Sequence, residues 1–293
     1  MDRLSLVLRS GSRPNWQRRT GRTSKLYASA HASYGNGDAS VGLVLLAGGQ
    51  GRRMQSETPK QYLSLRSVPM ALRCADTLAR VDRVRFACIV CDDGWREMFE
   101  MPAEHSNEGS LAFRELLVNN RVAFATPGEE RQGSVENGFH ALTANFPQCD
   151  VVAIHDGARP LVREQRVDAA IDDALDVGAS ALASQCKATI KRADKNTGIV
   201  FETLDRSELW EMHTPQIAHL DVISKALHHA NKTGLLATDD AALVEAAGMP
   251  VKVTDDAYDN IKVTTPDDMP LAERALEAQL SEGETGESRQ ILA

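Results

Sequence analysis

Hydrophobic residues along the chain fall into short apolar runs separated by mixed segments. Val41–Leu46, Val84–Cys91, Val122–Ala125 and Val151–Ile154 are apolar runs of strand length and read as buried strands. Met70–Arg80, Gly94–Met101, Glu130–Ala144 and Arg163–Val177 read as the helices between them, the last of these amphipathic. Residues 102–120 follow neither rhythm. Ser180–Ser184 gives one more strand. Strand and helix in this alternation predict an α/β fold, a mostly parallel twisted sheet with helices on both faces.

The alternation breaks at Lys187–Leu204. Two β-like segments, Ala188–Arg192 and Ile199–Leu204, flank Asp194-Lys195-Asn196-Thr197-Gly198, a turn-forming string. The expectation is a β-hairpin over residues 185–208, either an ordinary edge hairpin or one that projects from the sheet as an arm. Beyond it, Thr238-Asp239-Asp240 offers an N-cap with acids in the first turn. Gly248 is a stop, and Met249–Val253 is a strand. Thr265-Pro266-Asp267-Asp268 combines an N-cap, a proline and an acid three residues on, and opens the last helix.

Composition changes this picture mainly at the ends. Among residues 1–40 seven cations meet two acids, so the whole-chain charge of −8 becomes −13 for the remainder. That Arg- and Ser-rich, acid-poor start has the character of an organelle transit peptide, while the acidic body argues against nucleic acid as a partner. The expected division is a leader at 1–40, one domain at 41–280 and a polar, flexible tail at 281–293. No apolar stretch is long enough to cross a membrane. The five cysteines show no disulfide framework. Cys88 and Cys91 lie three apart on one strand, hence on opposite faces, which argues against a shared metal or redox pair and for two small buried residues.

The first strand ends at Ala47-Gly48-Gly49-Gln50-Gly51, followed by Arg52, Arg53 and Lys60. Glycines let backbone N–H groups approach a ligand, and the cations suit a polyphosphate beyond the carboxyl end of a strand. The string is not a dinucleotide fingerprint, since Met54 stands where the third glycine belongs, and no P-loop occurs. Taken further, A-G-G-x-G-x-R-M-x-x-x-x-P-K-Q-Y-L resembles the nucleotidyltransferases, and its ending is similar to the 2-C-methyl-D-erythritol 4-phosphate cytidylyltransferases, of the plant and algal plastid type. Three further strings follow in that family's order: Pro127-Gly128-Glu129-Glu130-Arg131-x-x-Ser134, Ile154-His155-Asp156-Gly157-Ala158-Arg159-Pro160, and Asn260-Ile261-Lys262-Val263-Thr264.

The resemblance implies a Rossmann-like nucleotidyltransferase fold, CTP and Mg²⁺, and a homodimer joined through the arm, with no membrane or nucleic-acid partner and a plastid location. It implies that Ala47, Gly48, Gly49 and Gly51 wrap the nucleotide, and that Gly128, Glu129 and Ser134 contact cytidine while Arg131 steadies their loop. Arg53, Lys60 and Lys262 would carry the chemistry, and Asp156 would hold the metal. Asp156, Arg159, Thr189, Arg206, Thr214 and Lys262 would surround the second substrate, the arm residues coming from the partner. His155 reads as a packed residue outside the site. The chain departs from the family pattern at Pro127, Gly157, Ala188 and His213, where glycine, alanine, aspartate and glutamine are common.

Such a site needs positive charge rather than a base, because a phosphate monoester with a second pKa of about 6 is already largely dianionic. A ribitol 5-phosphate cytidylyltransferase would share the nucleotide loops, and the arm and leader argue against it. A binding protein that kept the fold without turnover is opposed by the presence of every charged residue the chemistry needs.

Overall fold

The computed structural model describes residues 39–49, 54, 56–102 and 112–290, with side chains as far as 282. The leader expected at 1–40 lies outside them apart from Ala39 and Ser40. The chain runs β1 (Val41–Leu46), a short pair β2 (Ser64–Leu65) and β3 (Val68–Pro69), α1 (Met70–Ala79), β4 (Val84–Val90), α2 (Arg96–Glu100), α3 (Ala112–Val118) and β5 (Val122–Ala125). It continues through α4 (Arg131–Asn145), β6 (Val151–Asp156), α5 (Glu164–Val177), β7 (Ala179–Gln185), the arm strands β8 (Lys191–Ala193) and β9 (Val200–Thr203), and β10 (Trp210–His219). Then follow α6 (Leu220–Thr233), α7 (Asp240–Ala246), β11 (Lys252–Asp255) and α8 (Asp268–Gln290).

Seven strands form one sheet in the order β11-β7-β10-β6-β1-β4-β5. β1 pairs in parallel with β4 and β6, β4 with β5, and β7 with β11; only β10 runs antiparallel to its neighbours β6 and β7. The chain builds outward from β1 to β5, then returns to place β6 on the other side of β1. That reversal opens a crevice beyond the carboxyl ends of the central strands, the place where open α/β sheets bind ligands.

β10 and α6 are absent from the sequence reading. Pro215 inside β10 argues against an interior strand, because proline cannot donate to the ladder. The register against β7 shifts between Met212 and Gln216, so the irregularity falls where the proline stands. The arm is also shorter than its sequence suggests. Its turn is closed by Asp194, whose Oδ1 accepts from the Asn196 and Thr197 N–H groups, with Gly198 at φ +71°.

One core layer packs α1, α3 and α5 on one face of the sheet; a second packs α4, α6 and α7 on the other. Cys91 belongs to the first and Cys88 to the second, as the two-residue period of a strand requires. Helix α8 covers a third cluster of Met54, Leu65, Met70, Leu161 and Val263. At its start Asp268 reaches back to the N–H groups of Thr264 and Thr265 at 2.7 and 2.8 Å, the role of an acid in a capping box. The helix continues to Gln290, into the segment read as a polar tail.

α4 presses on the sheet at Gly138. A Cβ there would meet Val44 Cγ1 and Val90 Cγ2, each at 2.6 Å. Gly138→Val should therefore lower the unfolding free energy by about 1–3 kcal/mol through overpacking, against a gain of roughly half a kcal/mol in helix propensity. Urea unfolding measures this; an unchanged midpoint would show that α4 does not rest on β1 and β4.

Candidate functional site

The loops that follow β1, β4, β5 and β6 leave the sheet at one edge and are tied together there. Ala47 N–H donates to Val90 O at 2.8 Å, Cys91 N–H to Ala125 O at 3.1 Å, and Gly157 N–H to Leu46 O at 2.9 Å. Glycine at 157 has a local cause in this chain: a Cβ there would lie 2.9 Å from Leu46 O.

The glycine turn is held from below by the segment after Pro59. Gln61 Nε2 donates to Ala47 O at 2.6 Å and to Gly49 O at 2.7 Å, and Tyr62 Oη donates to Ala47 O at 2.6 Å. Lys60 is the first residue of the 3₁₀ turn, Lys60–Tyr62, that carries both. Gly51 and Arg53 lie outside the described residues. The second loop touches the first. A Cβ on Gly48 would come within 2.1 Å of Pro127 Cγ, so the proline that departs from the family pattern packs on the glycine turn. Gly128 N–H donates to Ser134 Oγ at 3.0 Å, Ser134 Oγ donates to Glu130 O at 3.2 Å, and Gly128 lies so close to Gly133 that a side chain would collide. Ser134 thus also fixes the loop from within, while Glu129 is exposed.

Asp156, the last residue of β6, gathers the positive charge. Lys262 Nζ bonds Oδ2 at 2.7 Å, Arg131 Nε bonds Oδ1 at 3.2 Å, and Arg159 Nε stands 4.0 Å from Oδ2. Burial would raise the Asp156 carboxyl, but Arg131, Lys262 and Arg159 hold it well below the usual carboxylate range. Arg131 also grips both oxygens of buried Asp240, at 3.0 and 2.7 Å. Burial alone would lower the Arg131 pKa; Asp240 and Asp156 outweigh it and raise it. Burial pushes the Asp240 carboxyl up against Arg131's pull. Two guanidinium donors nevertheless need an acceptor on each oxygen, so Asp240 is a carboxylate here.

Thr214 and His155 close the floor. Asp156 N–H donates to Thr214 Oγ1 at 3.1 Å. His155 Nε2 must donate to Arg159 O at 3.1 Å, because a carbonyl only accepts, so its Nδ1 is left to accept from Thr214 Oγ1 at 3.1 Å. Burial lowers the His155 pKa to about 4, which agrees with that neutral ring. Arg159 itself donates to Asn260 O at 2.8 Å and Met212 O at 3.1 Å. Asn260 and His213 both donate to buried Asp256 Oδ2, at 2.7 and 2.9 Å, and this network anchors the loop that carries Lys262. The glutamine common in the family is thus replaced by a histidine that still serves as a donor.

The structure joins Asp156, Arg159, Thr214 and Lys262, and brings in Arg131. Thr189 and Arg206 are exposed on the arm, where Arg206 Nη1 donates to Lys187 O at 3.0 Å. Sequence reading missed Asp240 as an anchor for Arg131. It resembled an ordinary helix-start acid, and the N-cap is in fact Asp239, which accepts from Ala242 N–H at 2.9 Å. Asp256 and Asn260 gave no sequence signal beyond their nearness to Lys262.

A metal held by protein groups alone finds little here. Among the described residues no three His, Cys, Asp or Glu side chains cluster to hold one, and both Asp156 oxygens already face cations. The residues fit a cation only as part of a metal–nucleotide complex, with Asp156 as the one carboxylate available to it.

A sheet that reverses its strand order at β1, with loops and charge collected there, is the architecture of an α/β nucleotidyltransferase. The chain belongs to the 2-C-methyl-D-erythritol 4-phosphate cytidylyltransferase family, whose sequence profile matches residues 41–278. It is 41% identical over 239 residues to the chloroplastic 2-C-methyl-D-erythritol 4-phosphate cytidylyltransferase of Oryza sativa subsp. japonica, covering 82% of this chain and 75% of that protein. It is 39% identical over 240 residues to the enzyme of that name from Geobacillus thermodenitrificans, covering 82% and 98%. A crystal structure of 4-diphosphocytidyl-2C-methyl-D-erythritol synthase from Anaerococcus prevotii superposes with a TM-score of 0.68 at 24% identity, covering 82% of this chain and 96% of that one; this likeness supports the fold.

Asp156→Asn would leave Lys262 and Arg131 without their shared counter-charge. The expected cost at pH 7 is about 3 kcal/mol, the lower end for a broken buried pair because the Lys262 side chain is 33% exposed. The Asp156 pKa is depressed by folding, so its contribution is full above the unfolded carboxyl value of about 3.9 and is lost as pH falls below it. Chemical denaturation at pH 7 and pH 3 should show the variant's deficit shrinking at the lower pH; a deficit independent of pH would remove the charge pairing as its cause.

Proposed function

We propose that this chain transfers a cytidylyl group from CTP to 2-C-methyl-D-erythritol 4-phosphate, giving 4-diphosphocytidyl-2-C-methyl-D-erythritol and pyrophosphate in non-mevalonate isoprenoid synthesis. The observation that carries this reading is the Asp156 cluster. Lys262 and Arg131, 106 and 25 positions away in sequence, meet on one carboxylate at the edge where the glycine turn lies. A phosphate monoester arrives already charged as a nucleophile. Its oxygen attacks the α-phosphorus of CTP, and the new O–P bond forms as the bond to the β-phosphate oxygen breaks. Pyrophosphate leaves with the electron pair. The barrier is the repulsion between two anions, so oriented cations lower it and a general base has no task. His155, neutral and bonded at both nitrogens, agrees with that division of labour.

In this reading Arg53 and Lys60 neutralise the triphosphate and the departing pyrophosphate, and Lys60 and Lys262 flank the five-coordinate phosphorus. The turn from Ala47 to Gly51 wraps the nucleotide, and Gly128, Glu129 and Ser134 contact cytidine. Asp156, Arg159, Thr189, Arg206 and Thr214 receive the polyol phosphate. Lys262 would exchange Asp156 for a phosphate oxygen as substrates enter. Mg²⁺ bound with the triphosphate supplies further neutralisation of its oxygens.

The arm supports a homodimer. Ile199, Val200 and Phe201 are 63%, 53% and 66% exposed, a run of apolar surface that a second copy would cover. Thr189 and Arg206 would then act in the partner's site. A plastid location is supported by the basic, Ser-rich leader and by the chloroplastic rice relative.

Two outcomes test this reading. Lys60→Ala should lower kcat by roughly a hundredfold or more with a much smaller change in CTP binding, measured by pyrophosphate release and by calorimetric titration; near-normal turnover would remove Lys60 from the chemistry. Phe201→Glu should convert a dimer to a monomer in sedimentation and reduce turnover with it, and an active monomer would exclude catalysis by the partner's arm.

A further inference from the structure

Gln61 and Tyr62 are 3% and 5% exposed, and the Gln61 amide nitrogen and the Tyr62 hydroxyl both bond the glycine turn. The amide nitrogen of Gln61 uses one N–H on Ala47 O and the other on Gly49 O, and Tyr62 takes the second lone pair of Ala47 O. A peptide unit is planar and trans, so its carbonyl and the following N–H point in opposite directions. With Ala47 O drawn into the protein, Gly48 N–H is turned outward, and Gly49 O is anchored beside it. Without these donors glycine peptides have little to prevent rotation, because they lack the side chains that restrict φ and ψ. The Tyr62 ring is itself fixed, stacked on Trp95 with centroids 4.1 Å apart and edge-on to Phe99 at 6.5 Å. Burial raises its phenol pKa, so the hydroxyl remains a donor.

We propose that Gln61 and Tyr62 are positioning residues of the cytidylyl-transfer site, holding the peptide planes of the glycine turn in the orientation that receives the triphosphate and fixing the distance from that turn to Lys60. The second half follows from sequence adjacency. Lys60, Gln61 and Tyr62 form one 3₁₀ turn, so the bonds that orient the loop also locate the lysine. Trp95 braces the same part from the β4 side. This inference rests on the cytidylyl-transfer reading.

The test uses the full-length protein. Wild-type turnover with CTP and 2-C-methyl-D-erythritol 4-phosphate is measured first; its absence would sink the parent reading and leaves the variants nothing to report. On an active wild type, Tyr62→Phe removes one hydrogen bond and keeps the stacked ring. It should raise the KM for CTP by about two- to twelvefold without changing the KM for the polyol phosphate, and lower the melting temperature by no more than a few degrees. Gln61→Met keeps the side-chain length and removes both amide donors. It should raise the KM for CTP further and also lower kcat, because Lys60 is no longer held. Combined with Lys60→Ala, it should add little to the kcat loss of Lys60→Ala alone, since the two changes act through one group. The proposal is overturned if Tyr62→Phe and Gln61→Met leave the KM for CTP unchanged. It is equally overturned if both substrates weaken together with a fall in melting temperature.

Discussion

One buried carboxylate makes the active edge of this protein possible. Arg131, Lys262 and Arg159 carry three positive charges into a small, partly dehydrated volume, and like charges there repel strongly. Asp156 offsets that repulsion at distances of 2.7 to 4.0 Å. The arrangement is complete without substrate, and its guanidinium and ammonium groups are donors that suit carboxylate and phosphate oxygens alike. The same physics that stabilises the free protein therefore prepares it for anions. On the proposed reading, a phosphate would take over the cations that the carboxylate holds.

Around that pair the fold supplies rigidity from several directions. Asp240 at the start of α7 fixes the far side of Arg131, and Asn260 and Met212 fix Arg159 through their carbonyls. Two buried histidines at this edge divide the work differently. His155 is locked neutral between a hydroxyl and a carbonyl, so it is structural. His213 donates to Asp256, an acceptor that also takes Asn260, and so ties β10 to the loop of Lys262. Gly48 lets the Pro127 side chain pack on the first loop, and Gly128 lets the second loop close against Gly133.

Much of this was legible in the residues. The strands from Val41 to Asp156 are short, mostly apolar runs, and their length separates them from the helices between. The glycine turn stood out by its chemistry, and the His155–Arg159 and Lys262 strings stood out by their resemblance to the family's motifs in the family's order. β10 was illegible because its sequence, with Pro215 and several polar residues, looks like a loop; it is a strand because β6 and β7 pair with it on both sides. Asp240 was illegible for a similar reason, since an acid in a first helical turn is the commonest of residues there.

The sequence by itself determined the α/β class, the place of the glycine turn and the hairpin, because each depends on local periodicity or on the chemistry of a short string, and the charged groups were picked out by the resemblance of their strings to a family's. Tertiary structure alone decided which charges meet. Lys262 reaches Asp156, Gln61 reaches back to Ala47, and His213 finds Asp256 across 106, 14 and 43 positions of chain. Such contacts follow from the order in which strands pack into a sheet, and no local pattern encodes that order.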